Sequence, residues 1–227
     1  MKKVIISVIS LMVVLCCLCS SSFAYSNKYY SLDVSSSFKK ESDDGTTATF
    51  VKGSTVQIGV SVLDSSEKEA ECELIKGILD GKKDAKDMID YILGENPGFT
   101  KDNVTKSEIT TISENKYKSV HLALKENSSY GMVYYHAYMI VAGEHLYLLT
   151  VVGIDSSDVI NSSDVEDVLD SFTILNEDVY KGSKSTDSDK KESKDTIKII
   201  VVAAAAAVIV LLVLGVVIVC SVKNKNK

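Results

Sequence analysis

The chain has no arginine and no tryptophan, a single proline, Pro97, and three histidines, His121, His136 and His145. Without guanidinium groups it lacks the bidentate forks that grip phosphates and carboxylates. Lysine does not fill the gap, because Tyr25 to Tyr180 carries 14 Lys against 27 Asp and Glu, a net charge of −13. So acidic a stretch repels nucleic acid and other polyanions. Cysteine is scarce once the first segment is set aside. Cys16, Cys17 and Cys19 lie in the leader, which leaves Cys72 and Cys220. No intramolecular disulfide is expected, and the fold must rest on its hydrophobic core. Catalytic signatures are missing too. The sequence contains no Gly-x-Ser-x-Gly elbow and no Gly-x-x-x-x-Gly-Lys phosphate loop, which serine hydrolases and P-loop enzymes need. Past the leader, no His-x-His, His-Glu-x-x-His or Cys-x-x-Cys spacing offers a metal set, so no metal and no cofactor is expected.

What is present in quantity is apolar sequence at both ends. Lys2 and Lys3 precede an apolar run from Val4 to Cys19, and Ser20 to Ala24 are small residues around Phe23. This pattern predicts an export signal over 1–24, with cleavage after Ala24. An acylated cysteine needs a small residue before it, and Leu15, Cys16 and Leu18 hold those positions. Ile199 to Cys220 is 22 residues without a charge, long enough as a helix, at about 33 Å, to cross a bilayer. A transmembrane helix is therefore predicted over 199–222, with 223–227 a basic cytoplasmic tail. Residues 181–198 read as a disordered polar linker. On this reading the protein is single-pass in the cell membrane, attached by its C-terminal helix, with residues 25–180 an extracellular domain.

Within that domain the hydrophobic period is 2, then 3.6, then 2 again. Tyr29 to Val34 and Thr46 to Leu63 read as strands, the latter folded into a hairpin at Lys52-Gly53. Ser66-x-x-Glu69 resembles a capping box before a stripe of Ala70, Leu74, Ile75, Ile78 and Leu79 that Gly81 ends. A second stripe, Ala85, Met88, Ile89, Ile92 and Leu93, runs to Gly94. After Asn96-Pro97-Gly98 come further strands, and a last helix starts near Ser163. If Gly143-Glu144 is the turn of the final hairpin, Tyr138 faces Leu149 and His136 faces Val151. Tyr134, His136, Tyr138, Ile140, Tyr147, Leu149 and Val151 then share one face, and the opposite face is apolar as well. Strands apolar on both sides must be covered on both sides. The expected class is α+β: a three-layer sandwich whose central antiparallel sheet has helices on both faces.

The segments "YYSLDVSSSF", "TFVKGSTVQIGVSV", "YMIVAGEHLYLLT" and the closing "SFTIL", in this order around two helices, resemble the PsbP-like fold from Tyr29 to about Leu175. That family includes an extrinsic photosystem II subunit, a Ran-binding nuclear import factor and many small exported bacterial proteins. Ser35 to Phe38 stands where many relatives carry Pro-Gly-Trp. The resemblance implies a fold and brings no shared catalytic residues.

The candidate binding residues are His136, Tyr134 and Tyr138, where a pocket could hold a ligand through the phenol hydroxyls; the same histidine also reads as a core residue satisfied by those hydroxyls. His121, beside Ser119 and Lys125 on a polar strand face, and His145, beside a turn, read as solvent residues. The function expected is a membrane-anchored, extracellular, non-enzymatic module that binds a protein or small molecule. The alternatives are an assembly subunit of an envelope complex and a surface hydrolase using His136 or His121.

Overall fold

The computed structural model describes residues 22–182, apart from 96–98, 130 and 156. Strands β1 (Ser22–Ser26), β2 (Tyr30–Ser35), β3 (Lys39–Asp43), β4 (Thr47–Lys52) and β5 (Val56–Asp64) lead into helices α1 (Glu69–Leu79) and α2 (Lys86–Glu95). Strands β6 (Val104–Ile112), β7 (Tyr117–Ser128), β8 (Gly131–Ala142) and β9 (His145–Ile154) follow, then α3 (Ser163–Ser171) and the short β10 (Thr173–Ile174). Seven strands form one antiparallel sheet in the order β3-β4-β5-β9-β8-β7-β6, and β1, β2 and β10 form a separate small sheet.

The β8–β9 hairpin turns at Gly143-Glu144, with Ala142 opposite His145, Tyr138 opposite Leu149 and His136 opposite Val151. Gly143 has a φ of +52°, which the tight turn requires and glycine adopts freely. A β-carbon there would also come 3.0 Å from the Glu177 carboxylate. The alternation of each strand then delivers two cores. On one side Leu74, Ile75, Ile78 and Leu79 of α1 and Met88 and Ile92 of α2 pack on Val120, Leu122, Ala137, Met139, Leu146 and Leu148. On the other, Ile58, Val60, Ile140, Tyr147, Leu149 and Val151 meet Tyr30, Leu32 and Val34 of β2 and Val165, Val168 and Phe172 in and after α3.

Two expectations are overturned here. The sheet is not sandwiched between helices on both faces: its second face is covered by the β1-β2-β10 sheet with α3 packed on β2, so the molecule is predominantly β. The apolar patterning of β8 and β9 demands a cover without saying what kind. Tyr30, Leu32 and Val34 alternate inward from an ordinary strand, which pairs with Thr173 and Ile174 from the far end of the domain. The second correction concerns the membrane. No helix among the described residues is long and apolar enough to cross a bilayer. The structure thus does not support a transmembrane helix, the attachment to a membrane through it or the single-pass topology; the segment 199–222 that was expected to provide the span lies outside the described residues. So do Cys16, Cys17 and Cys19, the 183–198 part of the expected linker and the 223–227 tail. The expected cleavage point after Ala24 falls inside β1, whose Ala24 and Tyr25 pair with Asp33 and Leu32.

Smaller differences have local causes. Glu69 opens α1 without the capping box: Lys68 occupies the cap position and its side chain makes no capping bond to the helix, and the Ser66 amide and hydroxyl instead donate to Asp64 Oδ1. The C-terminal end is as read, with Gly81 at φ +70° donating to the Ile78 carbonyl.

Candidate functional site: a histidine–tyrosine strip

The two faces of the large sheet are not equally sealed. On the β2 side, Tyr147, Leu149 and Val151 of β9 are fully buried, whereas Tyr134, His136 and Tyr138 on neighbouring β8 are only half-buried. The cover is incomplete over Tyr134, His136 and Tyr138 of β8 and over Glu108 and Thr110 of edge strand β6, while Ser119, His121 and Ala123 of β7 between them are buried. Register fixes what is left there. Glu108 on β6 stands opposite His121 on β7, His121 opposite Tyr138 on β8, and His136 opposite the small Ala123.

The strip so assembled is a connected set. The His121 ring lies flat on Tyr138, centroids 4.5 Å apart and planes 4° from parallel. Its Nε2 is 3.3 Å from Nδ1 of His136, and its Nδ1 is 3.5 Å from Oε1 of Glu108. Glu108 also receives the Lys106 ammonium at 2.7 Å. Lys106 and the His121 bond hold the Glu108 carboxyl below its ordinary pKa, so it is an acceptor. His121 Nδ1 must then carry the proton, its Nε2 accepts from His136 Nδ1–H, and His136 Nε2 keeps a lone pair.

Burial decides the charge state. It lowers the His121 pKa, against the pull of Glu108. Burial first, then the charges of His121 and Lys106, lower that of His136 to about 4. Burial pushes the Tyr138 phenol up to about 12, helped by Glu108 and Glu166. At neutral pH the strip presents two uncharged imidazoles and the uncharged Tyr138 phenol, flat, aromatic and rich in donors and acceptors. A base with a pKa near 4 is poorly matched to general-base work at pH 7, and among the described residues neither strip histidine hydrogen-bonds a serine, threonine or cysteine.

The three residues singled out from sequence thus lie together. His121 was misplaced: it is 5% exposed rather than in solvent, because Tyr138 stacks on it across the ladder. The signal was available only through the β7–β8 register, which one strand's polar neighbours do not reveal. His145 is also no free solvent residue; its Nδ1 is 2.5 Å from Glu177 Oε1, and its ring packs edge-on against Tyr29. Among the described residues no group of three or more His, Cys, Asp or Glu side chains is placed to enclose a metal ion.

No family model matches this chain, and no curated protein matches its sequence. Solved structures of similar fold exist at low identity. One is a protein from Bacteroides thetaiotaomicron VPI-5482, with 13% identity and a TM-score of 0.43 over 69% of this chain; the match spans about half, 49%, of that protein. A variant of the protein Mog1 has 10% identity and a TM-score of 0.36 over 68% of this chain and 96% of its own. The Saccharomyces cerevisiae Ran-binding protein Mog1p has 11% identity and a TM-score of 0.35 over 68% of this chain and 97% of its own. The PsbP-like resemblance read from the sequence thus has distant structural neighbours, and neither a family nor a residue role is carried across from them.

Proposed function

We propose that the chain is a non-enzymatic binding module whose contact surface is the strip of Tyr134, His136 and Tyr138 with His121 beneath it. The observation that supports this reading is the partial cover of the sheet. A continuous row of aromatic and imidazole side chains stands half-buried where the same face of β9 is sealed. Tyrosine contributes large contact area at little entropic cost and keeps a polar tip for a hydrogen bond. The weak basicity of His136 and the lack, among the described residues, of a nucleophile hydrogen-bonded to either histidine favour binding over hydrolysis. The occupant is a protein or small molecule that offers an apolar or aromatic surface with hydrogen-bonding groups, and the acidity of the chain disfavours polyanions.

The test is co-purification of crosslinked partners from the source cells, using the full chain and a Tyr134→Ser/Tyr138→Ser variant whose circular dichroism matches the parent. A partner recovered with the parent and reduced at least tenfold with the variant is the expected result, with Lys83→Ser, on the far side, unchanged. Equal recovery from both would remove the strip from consideration.

A further inference from the structure

We propose that His121 and His136 form an open two-histidine site for a divalent metal of the zinc or copper class. The geometry carries the proposal. Their facing nitrogens are 3.3 Å apart. Two imidazole nitrogens bound to one tetrahedral ion, with bonds of about 2.0–2.1 Å, stand about 3.3–3.4 Å apart. The same pair now shares a hydrogen bond, which an ion seated beside the line between the two nitrogens would replace. Both side chains are carried by strands inside a seven-stranded sheet, at positions set by the β7–β8 register, which gives the preorganisation a metal site needs.

A second observation is independent of the first. Glu108 Oε1 lies 3.5 Å from the remote nitrogen of His121. A carboxylate behind a ligating histidine fixes the tautomer and strengthens the ligand, and such outer partners accompany histidine metal ligands as a rule. On binding, the proton on His136 Nδ1 moves to its Nε2, so no net proton is released. His136 is half-buried, so part of the residue reaches the surface. Lys106 opposes a cation here, but its ammonium is ion-paired with Glu108. No third His, Cys, Asp or Glu among the described residues completes the set, so the remaining positions belong to water or to an incoming ligand atom. That makes the site exchangeable rather than structural.

The experiment is calorimetric titration of the full chain with Zn²⁺ alone, alongside nitrogen-detected spectra of the imidazole rings. One equivalent should bind at pH 7.5, with the His121 Nε2 and His136 Nδ1 signals shifting to coordinated values. His121→Gln and His136→Gln should each weaken binding at least tenfold, Glu108→Gln about tenfold, and His145→Gln not at all. Unmoved imidazole signals in the parent, binding that survives both histidine substitutions, or loss in His145→Gln would overturn the site. Because the probe is the ion alone, a negative result leaves the proposed contact surface standing.

Discussion

His136 shows how one residue ties fold to pH. Its pKa is lowered to about 4 in the folded chain, first by burial, against about 6.5 in the unfolded one. Between these values the unfolded chain takes up a proton that the folded chain refuses, so stability falls as pH drops from about 6.5 to about 4 and loses nothing further from this group below that. His121, shifted the same way, adds to the loss. Melting curves at pH 7.5 and 4.5 should therefore show a smaller acid-induced drop for His136→Asn than for the parent; an identical drop would refute the buried neutral imidazole. Ser119, on the same face, has a buried hydroxyl with no hydrogen-bond partner among the described residues. Such a group costs about 1–3 kcal/mol of desolvation, so Ser119→Ala is expected to raise stability by about 1 kcal/mol in urea unfolding, and a loss of that size would reveal a hidden partner. The alternation of "YYHAYMI" places Tyr134, His136 and Tyr138 on one face from sequence alone. It cannot place His121 under them, because Ser119 and Lys125 make that strand face look wet until Tyr138 is set opposite.

At the scale of elements, what has a strong period was readable: the β8–β9 register, most of the inward stripes of α1 and α2, and the end of α1 at Gly81, although Ala70 of the expected α1 stripe is exposed and Cys72 is buried instead. What was missed has no period to read. Strand β3, "KKESD", is exposed throughout, an edge strand whose charges discourage further pairing. Strand β1, "SFAYS", sits in text that reads as the end of an export signal. Strand β10 is two residues long. Together β1, β2 and β10 replace the helical layer expected on the second face, and Phe172 joins that cover to the sheet. It is 1% exposed, and its ring lies 5.7 Å from Tyr30, 6.2 Å from Tyr117 and 6.3 Å from Tyr147. Phe172→Ala should cost about 3–5 kcal/mol, as for other buried aromatics. Phe23→Ala on β1, with 38% of its surface exposed, should cost less than about 1 kcal/mol. Equal costs in chemical denaturation would mean that the small sheet does not close the core as described.

The molecule as a whole is one large sheet with a core on each face, and no crosslink contributes to it among the described residues. Cys72 is a free, buried thiol facing the helical core, and burial pushes its pKa up to about 11. It should resist thiol reagents until the chain unfolds, and reductant should leave the melting temperature unchanged; a reducible dimer or a shift of several degrees would contradict this. The measurement that bears most directly on the proposed role is site-specific photo-crosslinking in the source cells, with the photoreactive group placed at Tyr134 or, on the far side, at Lys83. A discrete adduct from position 134 that is absent from position 83 is the expected result. Adducts from both alike, or from 83 alone, would contradict the assignment of the histidine–tyrosine strip as the binding face.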